Sequence, residues 1–472
     1  MTKKDQKDVV IIGAGPGGYA AAFRAADLGL KVTLIDPEAN PGGSCLYYGC
    51  VPVKALLELL EMKEEAAKAE EWGLNFGDPE IDTKTLVEWK NKVVNELTEG
   101  IGLLSKERKI EYIQGKASFV SDKELEIKTN KGELSTLKFK KAIIATGSIP
   151  KELPDFPFDH KRVIDSTDAL ELKEVPPNML VIGGGYIGPE LGSVYNSLGS
   201  KVSLVEKTSR FLSWVDPDLV EVFEKENKGL FEELFFETSV EKVSIEKEKV
   251  KVALKNKDRE WENEYDLVLV AIGREPHTRY LNLDKTGMET DEKGFIKVDE
   301  KLKTSRENIY AIGDVTQRPL FANKATHEGR NVAEAIAGKN GADYNPKAIP
   351  SIVATTRTEI AWCGLMETEA KDEGVDIKVV KFPWSASGRA SSMGLSNGLT
   401  KLILEAASGK VLGGGVVGKN AGSLISEITM AIEMAATAKD MALTIHPHPT
   451  LSETIMEAAE LFIGSTTHLP GR

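Results

Sequence analysis

Two stretches of this chain, DVVIIGAGPGGYAAAFRAADLGLKVTLID at 8–36 and NMLVIGGGYIGPELGSVYNSLGSKVSLVE at 178–206, align without a gap at an offset of 170 residues. Ile12, Gly13, Gly15, Gly18, Leu28, Gly29, Lys31, Val32 and Leu34 match Ile182, Gly183, Gly185, Gly188, Leu198, Gly199, Lys201, Val202 and Leu204. In each copy a continuous apolar run suits a buried parallel strand. A glycine turn follows, then a helical stretch that a glycine can end, then a second strand. The chain carries one βαβ unit twice, which commits it to an α/β architecture.

The glycine spacing has a physical use. The first glycine makes a tight turn, the second lets backbone approach a pyrophosphate, and the third lets helix pack on strand. The helix N-terminus then faces the phosphates with its partial positive charge. Each copy ends its second strand in an acid, Asp36 and Glu206, 23 residues past its first glycine. An acid there suits a ribose hydroxyl and repels a 2′-phosphate, so the second site favours NAD over NADP. Two dinucleotides on one chain imply electron traffic between them.

At 472 residues the chain has room for about three domains of ~150 residues. A net charge of −13 repels phosphate backbones and anionic lipid, which argues against nucleic acid and membrane as partners. The polar start MTKKDQKD, followed by an apolar stretch broken by glycines and Arg24, carries no secretory or membrane signal, so a cytoplasmic protein is expected. The stretch near 57–110 reads as helical. Proline-bearing SIPKELPDFPFDHK and LKEVPPN mark a boundary near 150, and a second falls near 274. From about 348, strand candidates IKVVKFPW, TKLILEA and VLGGGVVG precede the helical ISEITMAIEMAATA. The expected division is a first dinucleotide domain at 1–150, a second at 151–273, a central segment at 274–347 and an α+β domain at 348–472.

Three cysteines, Cys45, Cys50 and Cys363, are far too few for a disulfide scaffold. In PGGSCLYYGCVPVK, Cys45 and Cys50 lie five apart just after the first βαβ unit, bracketed by glycines. A reversible disulfide in a reducing compartment is normally catalytic, whereas two inert buried thiols are the plain alternative. Beside a nucleotide fold, the pair favours redox chemistry.

Taken together, the motifs resemble the pyridine nucleotide-disulfide oxidoreductase family. Those that carry the resemblance are GAGPGG, GGSCLYYGCVPVK, the ATG stretch Ala145 to Gly147, GGGYIGPELG, AIGREPHT at 271–278, YAIGDV at 310–315, LFANKATHEG at 320–329 and HPHPTLSE at 446–453. The resemblance spans essentially the whole chain. It implies two Rossmann-like dinucleotide-binding domains, for FAD and NAD, plus a C-terminal α+β dimerisation domain, with 274–347 completing the FAD region. It places FAD at Gly13, Gly15, Gly18, Asp36, Ser44, Lys54, Ala117, Thr146, Gly147, Asp314 and Ala322. It places NAD at Gly183, Gly185, Tyr186, Gly188, Glu206, Val240, Ala271 and Gly273. Tyr186 is implied to cover the flavin until nicotinamide displaces it.

By the same resemblance Cys45 is the thiol that exchanges with substrate and Cys50 the thiol that meets the flavin. His448 is the base, Glu453 orients it, and Lys54 pairs with Glu190 near the flavin. The pairing is chemically sound, because an imidazole titrates near neutral pH and a carboxylate on its second nitrogen fixes the tautomer. His448 is implied to act across a homodimer interface, and no metal is implied. The implied activity is oxidation of dihydrolipoyl groups on proteins of 2-oxo acid dehydrogenase or glycine cleavage complexes, with NAD+ reduced to NADH. His446, His277 and His327 read as structural.

The chain also departs from the family pattern. Tyr47 replaces the usual asparagine, Tyr48 a small apolar residue, Val53 a serine and Pro189 an aliphatic residue, which bears on rate, potential and substrate fit. Cys363 reads as a small buried residue. A glutathione reductase-like sibling would need cationic NADP contacts where Glu206 stands, although Lys207 and Arg210 are near in sequence. A silenced docking subunit would be expected to have lost Cys45, Cys50, His448 or Glu453.

Overall fold

A computed structural model of the protein describes residues 7–339 and 344–470. The chain divides into two compact units. The first comprises Met1–Ala55, Asp82–Lys151 and Gly273–Asn345, and the second Leu56–Ile81, Glu152–Ile272 and Pro346–Arg472.

In the first unit, strand Lys7–Ile12 pairs in parallel with Val32–Asp36 on one side and Leu134–Ile144 on the other. The parallel set extends to Glu111–Ser121 and Ile309–Ala311. Strand Glu124–Thr129 runs antiparallel between Glu111–Ser121 and Leu134–Ile144. Alternate side chains of the first strand enter separate cores. Val9 and Ile11 pack with Leu34, Ala21, Ala22 and Ala25, whereas Val10 and Ile12 pack with Ile35, Phe119 and Ile144. A strand covered on both faces needs an unbroken apolar run, which is why VVII shows no alternation.

The second unit repeats the plan. Strands Glu233–Phe235, Lys201–Val205, Asn178–Ile182, Leu267–Val270 and Val163–Ile164 form one parallel sheet in that order. An antiparallel trio, Ser239–Glu246, Lys249–Lys255 and Glu260–Tyr265, closes over one face. The same unit holds a five-stranded antiparallel sheet in the order Ser351–Ala354, Glu359–Gly364, Val411–Val417, Leu399–Glu405 and Ile377–Pro383. Helices Ala421–Glu433 and Glu453–Ile463 pack on it through Ile425, Ile428, Ile455 and Ala458. Cys363 lies in this core, where burial pushes its thiol up to about 12. The helical stretch expected near 57–110 is two helices, Cys50–Ala69 and Thr83–Glu107, the latter capped by Asp82.

One buried cation ties the antiparallel sheet to helix Pro217–Glu226. Lys401 has no exposed side-chain surface; its Nζ lies 2.7 Å from Asp216 and 2.9 Å from Asp218, and it also pairs with Glu367. Asp216, equally buried, further accepts the Glu367 N–H at 3.1 Å. Burial works against the ammonium, and the carboxylates outweigh it, holding Lys401 above the ordinary lysine value. These three acids lie close enough to hold a metal ion, but the ammonium stands among them. Replacing Lys401 with methionine strands the Asp216 charge, and the expected loss is about 3–5 kcal/mol. A lowered urea midpoint would show it; an unchanged midpoint would mean that the cluster relaxes without its cation.

Candidate active site

The first fingerprint is built as its glycines require. Gly13 has φ +97°, and a Cβ there would lie 2.3 Å from the Ala145 carbonyl oxygen. A Cβ on Gly18 would meet the Gly13 carbonyl oxygen at 1.9 Å, so only glycine closes the turn against its helix. Gly15 is different, with nothing nearer than the Gly43 Cα at 3.8 Å, which leaves bare backbone at the N-terminus of helix Pro16–Asp27. That cradle suits a pyrophosphate. Asp36 accepts the Ala14 N–H at 2.7 Å and the Glu38 N–H at 3.0 Å. Burial nonetheless raises its carboxyl above the ordinary value.

Around this cradle the first unit gathers several residues expected from sequence. Thr146 donates its hydroxyl to the His277 carbonyl at 2.9 Å, and the Gly147 carbonyl accepts the His277 N–H at 2.9 Å. Burial lowers the His277 imidazole below its ordinary value. Asp314 accepts the Ser148 hydroxyl at 2.6 Å, and Arg274 donates to the same hydroxyl at 2.7 Å. Ser148 and Arg274 were not singled out from sequence. Ala322 opens helix Ala322–Ile336, Ala117 is buried on its strand, and Ser44 is exposed.

Cys45 lies on the short helix Gly43–Tyr48, and Cys50 opens the helix Cys50–Ala69. Both are free thiols, and they share a hydrogen bond. The bond to Cys50 is the largest influence pushing the Cys45 thiol up, with burial and the nearby Asp314 charge adding to it. Cys50 sits at the positive end of a 20-residue helix, where a thiolate is stabilised.

The departures near the cysteines acquire partners here. Tyr47 donates its hydroxyl to the Asn40 carbonyl at 3.1 Å and hydrogen-bonds Thr98. Tyr48 donates to Glu38 at 2.5 Å, and burial together with Glu38 pushes its phenol up. Both rings thereby fasten the cysteine helix to the loop that follows Asp36. Val53 is buried, Lys54 is half-buried, and Pro189 is the third residue of helix Ile187–Ser197, where no intrahelical N–H is missed.

The second fingerprint repeats the turn of the first. Gly183 has φ +114° with a would-be Cβ 2.4 Å from the Ala271 carbonyl oxygen, and that of Gly188 lies 1.9 Å from the Gly183 carbonyl oxygen. Glu206 accepts the Gly184 N–H at 2.7 Å and the Thr208 N–H at 2.8 Å, as Asp36 does for Ala14 and Glu38. Arg210 turns inward and donates to the Ser213 carbonyl at 3.0 Å. The ring of Tyr186 lies 5.3 Å from that of Trp214 and 5.8 Å from that of Trp362. Val240 lies on the antiparallel trio. Gly273 belongs to the first unit, where its carbonyl accepts the Lys151 N–H at 3.0 Å.

Elsewhere in the second unit, His448 Nδ1 lies 2.8 Å from Glu453 Oε1, and Glu453 Oε2 accepts the Thr450 N–H at 2.7 Å. Partial burial opposes the charge on Glu453; Thr450 and His448 outweigh it and hold the carboxyl below its usual range. The His448 side chain is 75% exposed, so its second nitrogen is available to a reactant. His446 is held on both ring nitrogens, by Thr444 and Glu427. A second imidazole–carboxylate pair, His468 with Glu457, sits one helical turn beyond Glu453 and was not foreseen. Glu190 is buried and accepts the Ala354 N–H at 3.0 Å.

A sequence profile described as pyridine nucleotide-disulphide oxidoreductase matches residues 7–329, and the dimerisation domain of the same group matches 349–459. The chain belongs to the pyridine nucleotide-disulphide oxidoreductase family. Membership implies FAD and NAD(H) as its cofactors, and the two glycine turns fit two dinucleotides, with no atom nearer than 3.6 Å to a would-be Cβ on Gly15 or Gly185. Within the family, the chain is 46% identical over 473 residues to a dihydrolipoyl dehydrogenase of Vibrio parahaemolyticus, covering 100% of this chain and 99% of that one. It is 42% identical to a dihydrolipoyl dehydrogenase of Geobacillus stearothermophilus, covering 98% of each. Among solved structures, it is similar to LpdA from Mycobacterium tuberculosis, with a TM-score of 0.89 at 25% identity over 96% of this chain and 99% of that chain. It is also similar to the flavoprotein disulfide reductase RclA from Escherichia coli in its Cu(II) complex, with a TM-score of 0.85 at 27% identity over 97% and 99% of the two chains.

Proposed function

We propose that this family member is a homodimeric dihydrolipoyl dehydrogenase that oxidises dihydrolipoyl groups carried on protein domains and reduces NAD+. The observation that carries the reading is the hydrogen-bonded Cys45 and Cys50 pair, with Cys50 at a helix N-terminus. Full-length similarity to dihydrolipoyl dehydrogenases supports the substrate. In this reading 1–150 and 274–347 hold FAD, 151–273 holds NAD+, and 348–472 forms the dimer. Exposed Met430, Met434, Leu443 and Ile445 on that last segment give a partner an apolar surface to cover.

The chemistry starts from the Cys45–Cys50 disulfide. His448, its tautomer fixed by Glu453, accepts a proton from one dihydrolipoyl thiol. The resulting thiolate attacks Cys45 Sγ, the Cys45–Cys50 bond breaks, and Cys50 leaves as thiolate. The second substrate thiol attacks the other substrate sulfur, the one bonded to Cys45, which closes the oxidised lipoyl ring; Cys45 leaves and takes up the proton that this thiol gives up, ending as a thiol. Two electrons then reside on the dithiol. FAD, when bound, supplies the route by which such a pair reaches NAD+ as hydride. Asp36, Asp314 and the first fingerprint would hold FAD, while Glu206 and the second fingerprint would hold NAD+.

The test is NADH formation from dihydrolipoamide by the purified protein, with NADP+ in parallel. Rapid turnover confined to NAD+ is the expected result. A yellow, FAD-bound protein without turnover would refute the substrate assignment. Equal rates with NADP+ would refute the role given to Glu206.

A further inference from the structure

We infer that Trp214 gates the second dinucleotide site: its indole covers the backbone at Gly185 and has to swing away before a pyrophosphate settles there. The inference rests on the reading of that fingerprint as the NAD+ site.

Internal duplication locates the residue. In the first copy the loop after the acid crosses the fingerprint through a hydrogen bond from Gly42 N–H to the Ala14 carbonyl at 2.8 Å. In the second copy Leu212 N–H makes the same bond to the Gly184 carbonyl at 3.0 Å, again at an offset of 170 residues. Two residues past each crossing stand Ser44 and Trp214. The first copy faces its second glycine with the Gly43 Cα. In the second copy the Trp214 Cη2 lies 3.6 Å from the position a Cβ on Gly185 would take. A pyrophosphate uses the bare face of that glycine, so indole and phosphate compete for one space.

The cover is braced, and its loop is pinned. Tyr186 lies against Trp214 and, at an interplanar angle of 22°, stacks on Trp362. Arg210 holds the Ser213 and Val215 carbonyls, Leu212 is buried at φ +44°, and Asp216 is anchored by Lys401. Backbone on both sides of Trp214 is therefore fixed, while its side chain stays 48% exposed. What can move is the indole, by rotation about its own side-chain bonds toward solvent. Opening gives up its ring contact with Tyr186, and that contact is subtracted from the affinity for NAD+.

The experiment is calorimetric titration of NAD+ into oxidised, FAD-loaded dimer, for the wild type and for Trp214→Ala, Trp214→Phe and Glu206→Ala, with flavin content checking each fold. Trp214→Ala is expected to bind NAD+ about twofold to tenfold more tightly, the size of one aromatic pair, with Trp214→Phe closer to wild type. Unchanged affinity in Trp214→Ala would overturn the gate. Weaker affinity would overturn it too, since the indole would then be a contact of the bound dinucleotide. Glu206→Ala separates the two readings: weakened binding there with no tightening in Trp214→Ala defeats the gate alone. Undiminished binding in Glu206→Ala defeats the site assignment and the gate with it.

Discussion

Cys50→Ser is expected to keep its FAD and its dimer yet lose NAD+-linked oxidation of dihydrolipoamide by on the order of 10³-fold or more, because the two sulfurs work as one unit. Serine is nearly isosteric, and Cys50 lies exposed at the start of its helix, so folding has little reason to suffer. What disappears is the leaving group. Without Cys50 there is no disulfide for a substrate thiolate to open, and the electrons have no dithiol on which to reside. The paired control is flavin reduction by NADH, which does not involve the sulfurs and should survive. A variant that still turned over dihydrolipoamide would remove the cysteines from the chemistry.

His448→Ala should slow the thiol half-reaction by about 10²–10⁴-fold, the usual worth of a positioned acid–base group. Reduction of flavin by NADH should change little in the same variant. His448 is largely exposed and its side chain pairs with Glu453, which keeps the Thr450 N–H, so its truncation leaves no buried group stranded. Stopped-flow measurement of each half-reaction separates the cases. Equal slowing of both would argue that His448 is structural and that another group takes the proton.

The parts legible in the sequence are those whose physics is local. A glycine turn, the helix it opens and the acid at the next strand's end all lie within 29 residues, so both fingerprints could be read and aligned. The same holds for His448 and Glu453, five residues apart. The surroundings of Asp314 could not be read, because Ser148 comes from 166 residues away and Arg274 meets Ser148 across 126. Tyr47 and Tyr48 were visible as departures, but their partners Asn40, Thr98 and Glu38 follow from how a helix packs on a loop. Lys401 looked like any strand lysine, and only the fold brings Asp216, Asp218 and Glu367 to it. Trp214 was legible in principle, since carrying the alignment eight residues past Glu206 sets it opposite Ser44.

The way Glu206 is bonded also bears on how such a protein can change over generations. In the proposed reading its carboxylate meets a ribose, and in the structure it ties down the N–H groups of Gly184 and Thr208 beside the glycine turn. A mutation swapping it for arginine, the first move toward a phosphorylated cofactor, would at once unfasten the turn on which either cofactor depends. Cofactor preference is thus protected by an intermediate that serves neither, and a lineage leaving NAD+ would have to rebuild the loop before giving up the acid.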